Sequence, residues 1–351
     1  MPQPAPSPLP RTVAWIGDEQ GHLELLDQTR LPGAIVVLQP ASAIEVAEAI
    51  ARLAVRGAPA IGVAAAYGLV LGVRQLRPLP DAFVAAVRSV AARLAAARPT
   101  AVNLQWALDR CITAARALPT LPALLQEARA IEAEDRAASE RLAAHGAPLV
   151  PEGGTVLTHC NTGRLATAGD GTALAVLFSA WQQGIRFRVL ADETRPLLQG
   201  SRLTALELHA AGIPVEVLVD GAAAGLIARG QVQAVFVGAD RIARNGDFAN
   251  KVGTYGLALA CAAHRVPFHV VAPRSTFDPT LANGAGIPIE ERDPAEVLTL
   301  AGQPVAAIGV SARNPAFDVT PGSLATSLVT DMGVLRPPFE AAIKNLFAAR
   351  R

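Results

Sequence analysis

The spacing of apolar residues changes character near residue 146. Before that point apolar positions recur every three or four residues, which predicts helices. Ser42 and Glu45 form a capping-box pattern that begins one helix, and Asp81 is expected to cap another. An almost wholly apolar run from Ala60 to about Leu71 predicts a buried helix. The remaining predicted elements are helices over 101–118 and 121–145 and a hairpin formed by 12–16 and 22–26. Residues 1–145 are therefore predicted to form a mainly helical domain with a β-hairpin.

After residue 146 short apolar runs alternate with helical patterns. The strand-like runs are 155–158, 187–191, 215–219, 234–237 and 268–271. The helical patterns between or after them are 172–183, 201–211, 222–229 and 250–264. Strands that alternate with helices build βαβ units and a parallel sheet. The pattern predicts an α/β fold, with a Rossmann-like, doubly wound parallel sheet in a second domain over 146–351.

Polar side chains follow several of these strands. Cys160 comes after the first strand, and Asp240 follows the fourth. The carboxyl ends of parallel strands share one edge of a sheet, which is where such folds bind ligands. We therefore expect the following residues to lie close together: Cys160, Asp192, Glu193, Gln199, Asp240, Asn250 and Lys251.

The helical domain offers a second candidate binding element at Arg56-Gly57-Ala58-Pro59. Gly57 ends one helix, and Pro59 suits the first turn of the next. The free N–H groups of this buried helix start could bind an anion or a sugar oxygen. A tight helix–helix corner explains the same residues equally well. Arg98, next to Pro99, lies at a break where its guanidinium could face a phosphate or solvent.

Lys251 is singled out by composition. The chain contains 29 arginines and two lysines, so a lysine beside a motif suggests that a compact ammonium is needed there. The predicted helix from residue 250 would place Lys251 at a helix N-terminus, a natural phosphate site. No P-loop pattern occurs, and the glycines after the first strand are spaced wrongly for a dinucleotide site.

Charge and cysteine content exclude several classes of protein. The formal net charge of +1 gives no indication of a basic surface for nucleic acid. No apolar run reaches membrane-spanning length without a charge or a Gly/Pro break. Three separate cysteines without a CxxC pair indicate a reducing, cytoplasmic setting. No metal-ligand spacing is present, and His159 is expected to point away from Cys160. Residues 1–10 contain five prolines and are predicted to be a disordered arm, not a signal peptide.

A thiol and a carboxyl beside a phosphate site suggest general acid–base chemistry on a phosphorylated small molecule, without a cofactor. Asp240 can act as an acid only if burial keeps it protonated, and Cys160 as a base only if its surroundings favour the thiolate. Cys160 could instead be a buried structural cysteine. Asp240 could pair with Arg241 or Arg244, or cap a loop. The pattern predicts a site and leaves its substrate open.

Several motifs in order resemble one family. They are Leu26–Gln28, Arg56–Gly62, Arg98–Asn103, Thr158–Gly163, Glu193–Pro196 with Gln199-Gly200, Gly238–Ile242, Asn245–Asp247 with Asn250-Lys251, and Asn314–Pro321. From about Leu25 to Val334 the chain resembles the methylthioribose-1-phosphate isomerase branch of the initiation factor 2B alpha/beta/delta-like family. Arg164 and Asp170, on either side of the loop after Cys160, are unusual for that family.

The resemblance implies a cofactor-free aldose–ketose isomerase of methionine salvage. The implied substrate is methylthioribose 1-phosphate. By family likeness Asp240 is the acid at the ring oxygen of this sugar, and Cys160 assists hydrogen transfer between its C2 and C1 atoms. The substrate-binding residues it implies are Arg56, Gly57, Ala58, Arg98, Gln199, Asn250 and Lys251. It also implies a homodimer and an N-terminal domain that covers the site. A ribose-1,5-bisphosphate isomerase, a 5-deoxyribose 1-phosphate isomerase and a non-catalytic regulatory subunit remain alternatives, and hydrogen could move as a proton or a hydride.

Overall fold

The computed structural model describes residues 9–98 and 101–348, which divide into two compact units. The helical unit contains the described chain through Glu140 together with Thr162–Gly171. The sheet unit contains Arg141–Asn161 and the described chain from Thr172 onward. Residues 1–8 of the predicted disordered arm, and Pro99 and Thr100 of the Arg98 motif, lie outside the described residues. The boundary between domains at 145 and 146 stays a prediction.

The elements of the first part of the chain are a small antiparallel sheet followed by helices. They are β1 (Val13–Ile16), β2 (His22–Leu26), β3 (Val37–Leu38), α1 (Ala43–Ala51), α2 (Ala58–Leu76), α3 (Phe83–Ala95), α4 (Val102–Ala117) and α5 (Leu121–Gly146). β1 and β2 form the predicted hairpin, and β3 adds an unpredicted third strand. The helical character and the hairpin of this region are confirmed.

Helix α2 is the centre of the helical unit. It packs against α1, α3 and α4, and 14 of its 19 residues are buried. Among the described residues it is the one helix long and apolar enough to cross a membrane, yet 78% of its most apolar window is buried inside the protein. Its apolar composition is therefore explained by its place in the core.

The predicted helix starts differ in their outcome. Ser42 caps α1 as predicted, since its Oγ accepts from the Glu45 N–H at 3.2 Å and Glu45 accepts from the Ala41 N–H at 3.0 Å. The N-cap role predicted for Asp81 is wrong. Asp81 lies inside the 3-10 turn Pro80–Ala82, and α3 begins only after Ala82, without a side-chain cap. The short turn at Pro80 displaces the helix start past the carboxylate.

The rest of the chain builds a parallel sheet, its helices and two smaller sheets. The strands are β4 (Thr155–Thr158), β5 (Arg188–Asp192), β6 (Val215–Leu218), β7 (Ala234–Val237), β8 (Arg241–Ala243), β9 (Phe248–Lys251), β10 (Phe268–Val271), β11 (Phe277–Asp278), β12 (Thr299–Leu300), β13 (Gln303–Pro304), β14 (Phe317–Thr320), β15 (Ser327–Thr330) and β16 (Gly333–Leu335). The helices are α6 (Ala173–Gln182), α7 (Ala205–Ala210), α8 (Ala223–Ala228), α9 (Thr254–His264), α10 (Ala295–Leu298) and α11 (Phe339–Ala348).

The main sheet has seven strands in the order β16-β15-β10-β7-β4-β5-β6, and all neighbours are parallel except β15 and β16. Alternate residues enter two separate cores: Val156 and Phe236 face one with α6, and Leu157 and Val235 face the other with α8 and α9. Because side chains alternate along a strand, near-continuous apolar strands bury both faces of the sheet. The predicted doubly wound α/β fold is confirmed, with β15 and β16 as unpredicted additions.

The helix predicted over 250–264 begins later than expected. Residues 248–251 form β9, which pairs antiparallel with β8 on one side and β14 on the other, in a sheet ordered β11-β8-β9-β14. Helix α9 starts at Thr254, after Gly253. The prediction that residues 250 and 251 open a helix is wrong, because pairing with a strand some 65 residues later overrides the local pattern.

Candidate active site

Cys160 and Asp240 follow β4 and β7, the two neighbouring strands at which the strand order of the sheet reverses. β4 lies between β5 and β7, with Thr158 opposite Ala191 on one side and Phe236 on the other. From β4 the chain proceeds outward through β5 and β6, and β7 then begins the opposite half of the sheet. Cys160 is two residues past β4, and Asp240 is three residues past β7. Both therefore lie at the topological switch point, where open α/β sheets bind ligands.

The backbone of Cys160 is held by two threonine hydroxyls. Its φ of 66° lies in the left-handed region, which costs a non-glycine residue of order 1–3 kcal/mol. The Cys160 N–H donates to Thr194 Oγ1 at 2.9 Å, and Thr204 Oγ1 donates to the Cys160 carbonyl at 2.6 Å. Thr194 itself has a φ of 65°. The thiol, in a residue 9% exposed, is thus carried on a constrained, fully hydrogen-bonded peptide unit.

His159 was not predicted to take part in the site, and the structure places it at a junction of three segments. Its Nδ1 lies 2.9 Å from Asp192 Oδ2, and its Nε2 lies 2.8 Å from the Val252 carbonyl oxygen. A carbonyl can only accept, so Nε2 carries a proton. Burial opposes a charge on the ring, but the bond and charge of Asp192 and the Val252 carbonyl outweigh it and raise the pKa of His159. The imidazolium form is therefore more favoured here than in a free histidine.

His159, Asp192 and Asp220 have potential ligand atoms within 4.8 Å of one another, a grouping that can hold a metal ion. Both ring nitrogens of His159 are already committed, one to a carboxylate and one to a carbonyl. The oxygens of Asp220 accept the backbone N–H groups of Thr194 and Arg195, each at 2.7 Å. These hydrogen bonds suit a network that shapes the backbone rather than a metal centre.

Asp240 is joined to the strand that carries Asn250. The Asp240 N–H donates to the Ala249 carbonyl at 2.8 Å, and Asp240 is only partly buried. Asn250 is 4% exposed and donates through Nδ2 to Thr254 Oγ1 at 2.9 Å. The backbone bond between neighbouring strands therefore brings the Asp240 and Asn250 segments together at this edge of the sheet.

Lys251 is not at a helix N-terminus, contrary to the prediction. It is the last residue of β9, opposite Phe317 of β14. Its Nζ donates to the Ala316 carbonyl at 2.8 Å and lies 4.7 Å from the centre of the Phe317 ring. The N–H groups of Gly253 and Tyr255, at the start of α9, donate to the two carboxylate oxygens of Asp318. That helix end already has its anion, so any phosphate at Lys251 must be bound by the ammonium itself.

Gln199 offers a buried acceptor. It is 6% exposed and directly precedes the π-helical turn Gly200–Thr204. Its Oε1 finds no hydrogen-bond partner among the described residues. Because buried polar atoms are almost always paired, this oxygen is suited to a donor group of a ligand.

In the helical unit, Arg56, Gly57 and Ala58 form the predicted helix start. Gly57 has a φ of 92° and precedes α2, whose first turn includes Pro59 and has no side-chain cap. A Cβ on Gly57 would lie 2.5 Å from the Ala166 backbone, so only glycine fits there. Arg56 is 9% exposed, and Arg98 is partly buried beyond the end of α3. This segment therefore packs tightly on the loop that follows Cys160 in the chain.

The loop Thr162–Gly171, called here the post-cysteine loop, is tied to α5 within the helical unit. Asp135 Oδ2 accepts the Ala168 N–H at 2.6 Å, and Ser139 Oγ donates to the Gly171 carbonyl at 2.7 Å. Burial raises the pKa of Asp135 to about 6, although the N–H groups of Ala168 and Gly169 oppose that rise. Neither α5 residue carried a sequence signal, because each acts through a partner about 32 residues away in the chain.

The two residues unusual for the resembled family, Arg164 and Asp170, are partners of each other. Arg164 Nε lies 2.8 Å from Asp170 Oδ1, and both side chains are about half exposed. An exposed pair of this kind contributes at most about 1 kcal/mol. The two residues therefore span the mouth of the post-cysteine loop as a matched pair and leave its backbone bonds intact.

A thiol, a buried amide oxygen and a carboxyl follow β4, β5 and β7 at the carboxyl edge of the main sheet, and Lys251 directly precedes Val252, whose carbonyl is bonded to His159. The thiol and the carboxyl can exchange protons with a substrate, and the amide oxygen and the Lys251 ammonium can hold its hydroxyl and phosphate groups. Of the seven residues expected there, Asp192 is committed to His159. The arrangement suits acid–base chemistry on a small anionic sugar.

The chain is similar to known proteins along most of its length. The sequence pattern of the initiation factor 2 subunit family matches residues 54–337. Methylthioribose-1-phosphate isomerase of Pelotomaculum thermopropionicum is 53% identical over 341 residues, covering 95% of this chain and 93% of that protein. 5-Deoxyribose 1-phosphate isomerase of Moorella thermoacetica is 51% identical over 343 residues, covering 96% and 98%.

A solved structure shows the same fold. The crystal structure of 5-methylthioribose 1-phosphate isomerase from Pyrococcus horikoshii OT3 matches with a TM-score of 0.89 at 42% identity, and the match covers 97% of each chain. The family pattern spans most of this chain, and relatives of about half identity span nearly all of it. The chain belongs to the initiation factor 2 subunit family.

Proposed function

We propose that this chain is an aldose–ketose isomerase that converts 5-methylthioribose 1-phosphate to 5-methylthioribulose 1-phosphate, a step of methionine salvage. The observation that carries the proposal is the placement of Cys160 and Asp240 after the two strands of the topological switch point. Relatives of 50–54% identity over nearly their full length bear the name methylthioribose-1-phosphate isomerase, which supports the same activity.

The substrate requires an acid at its ring oxygen. Its anomeric carbon carries the phosphate, so the ring cannot open spontaneously to a free aldehyde. We propose that Asp240 donates a proton to the ring oxygen while the bond between C1 and that ring oxygen breaks. The C2 hydrogen then moves to C1, and the C2 hydroxyl loses its proton and becomes the ketone. That proton restores Asp240, so C2 is oxidised, C1 is reduced, and no external electron acceptor is needed.

Cys160 assists the hydrogen transfer between C2 and C1. On the proton route its thiolate removes the C2 proton and returns it to C1, whereas on the hydride route it shapes the site around a direct transfer. Substrate deuterated at C2 separates the routes: loss of deuterium to solvent supports the proton route, and full retention favours a hydride or a shielded proton.

Substrate binding is proposed for the remaining residues of the site. Lys251 supplies positive charge for the phosphate. By family likeness Arg56, Gly57, Ala58 and Arg98 also bind substrate, with the helix start at Gly57 and Ala58 offering backbone N–H groups. Gln199 and Asn250 supply buried amides for the sugar hydroxyls. The unpartnered Gln199 Oε1 among the described residues supports this role.

A second candidate substrate is 5-deoxyribose 1-phosphate, favoured by the 51% identity to an isomerase of that name. The two sugars differ only at the 5-position, where one carries a methylthio group and the other a hydrogen. An apolar pocket discriminates poorly between apolar groups of different size, by roughly 10- to 200-fold for one methylene. We propose that the chain accepts both sugars.

Phosphorus NMR tests the function directly. Purified protein with a metal chelator receives methylthioribose 1-phosphate, 5-deoxyribose 1-phosphate or ribose 1,5-bisphosphate in separate samples. Conversion of the first supports the proposal, and conversion of the second adds the broader specificity. Conversion of the bisphosphate alone would keep the proposed isomerase reaction but would mean that ribose 1,5-bisphosphate is the substrate. No conversion of any of them would favour the regulatory-subunit alternative.

The family resemblance also supports a homodimer that works in the cytoplasm. Light scattering on the purified protein should give about twice the mass of one chain. The mass of a single chain at micromolar concentration would contradict the dimer and would leave the proposed chemistry untouched.

A further inference from the structure

His159 joins three segments of the catalytic edge through one buried ring. Its backbone directly follows β4 and continues into Cys160. Its Nδ1 holds Asp192 at the end of β5, and its Nε2 holds the Val252 carbonyl in the turn between β9 and α9. His159 is 2% exposed and Asp192 1% exposed, so solvent does not compete for these bonds.

The turn that His159 holds lies directly beyond Asn250 and Lys251. Gly253, which ends this turn, has a φ of 107°, and a Cβ there would lie 3.0 Å from His159 Cε1. The ring therefore packs against the turn backbone as well as bonding to it. Movement of the ring would displace both the residue that carries the thiol and the strand end that carries the proposed phosphate ligand.

The second carboxylate near the ring supports the same backbone. Asp220 accepts the N–H groups of Thr194 and Arg195, and Thr194 in turn accepts the Cys160 N–H. The path from His159 through Asp192 and the path from Asp220 through Thr194 meet at Cys160. A buried ion pair contributes little net stability, because the loss of hydration offsets the attraction. Its main effect here is on geometry.

We propose that His159 is a positioning residue for the isomerase reaction: its ring, held between Asp192 and the Val252 carbonyl, sets the position of Cys160 relative to the Asn250–Gly253 segment. Its contribution to turnover rests on the proposed function. Its control of the Cys160 environment is independent of which sugar the enzyme uses.

His269 provides a matched control in the same sheet. It lies on β10, is 4% exposed, and its Nδ1 is 2.8 Å from Ser327 Oγ. Burial lowers its pKa to about 4, so it stays neutral at working pH. His269→Asn removes a buried imidazole of the main sheet, as His159→Asn does, but β7 separates its strand from the strand that leads to Cys160. Loss of stability alone would affect both variants alike.

The first measurement is the division of the effect between kcat and KM. We expect His159→Asn to lower kcat about 100-fold, as a misplacement of about 1 Å can do, while KM changes much less. His269→Asn should keep kcat close to that of the wild type. Equal kcat values in His159→Asn and His269→Asn would overturn the proposal. It would also be overturned if the loss of kcat in each variant were fully explained by its loss of folded protein.

The second measurement does not require turnover. Iodoacetamide labels Cys160 selectively, because burial raises the pKa of Cys111 and of Cys261 to about 12 and both are fully buried. The labelling rate of Cys160 is followed by mass spectrometry from about pH 6 to pH 9.5, a range that spans the ordinary thiol pKa. We expect a several-fold change in rate or a displaced pH profile in His159→Asn, and a wild-type profile in His269→Asn. Identical profiles in all three proteins would overturn the proposal.

If His159→Asn does not fold, Asp192→Asn replaces it as the test variant in both measurements. This variant keeps the shape of the side chain and removes the charge that faces the ring. We expect the same direction of change in kcat and in Cys160 labelling, with a smaller size. Because labelling is read without substrate, a wild-type protein that converts no sugar would defeat the proposed function alone. A Cys160 profile unaffected by Asp192→Asn would defeat the positioning role alone.

Discussion

At the scale of single residues, the site is organised through backbone groups. Thr194 and Thr204 hold both polar groups of the Cys160 peptide unit, and Asp240 is held by its N–H. The main chain that carries the two proposed catalytic side chains is thereby fixed. Such preorganisation is what acid–base catalysis needs, since proton transfer depends on distances of about 3 Å.

The two proposed catalytic residues should be separable from folding. We predict that Asp240→Asn and Cys160→Ala each lower kcat by about 10²- to 10⁴-fold, the usual share of a general acid or base. Circular dichroism and thermal unfolding should match the wild type, because Asp240 is only partly buried and the Cys160 substitution removes one sulfur atom. Near-wild-type turnover in either variant would remove that residue from the mechanism.

Lys251 should act on binding more than on chemistry. Its ammonium bonds to the Ala316 carbonyl and lies over Phe317. A charge-assisted hydrogen bond to phosphate is worth about 1.5–3 kcal/mol, so Lys251→Ala should raise KM roughly 10- to 100-fold. Lys344→Ala, on the exposed face of α11, is the charge-matched control and should leave KM unchanged. An unchanged KM in Lys251→Ala would place the phosphate elsewhere.

At the scale of elements, the segment between β7 and α9 departs most from the predicted pattern. Strands β8 and β9 form a hairpin directly after Asp240, and β14 completes the small sheet. Asp318 of β14 then supplies the carboxylate that binds the first N–H groups of α9. The family motif Asn314–Pro321 thus has a structural role. Its Phe317 contacts Lys251, and its Asp318 accepts hydrogen bonds from the N-terminal N–H groups of α9.

The burial of Asp135, which anchors the post-cysteine loop, predicts a pH dependence of stability. The folded pKa of Asp135 is about 6, above its ordinary value of 3.8, so the native state binds more protons between these values. Its contribution is fully present below about pH 4 and is lost as pH rises through about 6, by at most about 3 kcal/mol.

Asp135→Asn should remove that fall in stability. Denaturant unfolding from about pH 4 to pH 7 should show a steeper loss in the wild type than in the variant. Asp109→Asn, on the exposed face of α4, changes the same charge in solvent and should follow the wild type. Parallel curves for the wild type and Asp135→Asn would show that this carboxyl is not buried as the structure indicates.

At the scale of the whole molecule, bound substrate should stabilise the fold by mass action. On the proposed mechanism Asp240→Asn cannot open the ring, so this variant should bind intact substrate and gain about 2.7 kcal/mol at a concentration 100 times Kd. Its melting temperature should therefore rise with substrate concentration. The double variant Asp240→Asn/Lys251→Ala should need much more substrate for the same rise. Equal rises in both would argue against phosphate binding by Lys251.

Much of the fold could be predicted from local pattern. The strands Thr155–Thr158 and Ala234–Val237 have the predicted bounds, because short β-branched runs between turn residues carry their own signal. Ser42 begins α1 because a cap acts over three residues of chain. The convergence of Cys160 and Asp240 also followed, since parallel strands place their carboxyl ends on one edge.

The roles of the site residues could not be derived from pattern alone. Spacing indicated a thiol and a carboxyl at one edge, and the resemblance of whole motifs then implied a sugar phosphate and its isomerisation. Asp192 was expected in the pocket, but it is bound to His159, because side-chain partners depend on distances across strands that a sequence does not show.

The sequence by itself determined the alternation of strands and helices, the buried α2 and the two residues at the switch point, because these depend on contacts within a few residues. Tertiary structure alone decided that Asn250 and Lys251 lie on a strand and that Asp318 accepts the N–H groups at the start of α9. It also decided that His159, directly after β4, bonds to the end of β5 and to the turn before α9. These features depend on partners far apart in the chain, from 33 residues for His159 and Asp192 to 93 for His159 and Val252, and only the packed sheet brings such partners within hydrogen-bond distance.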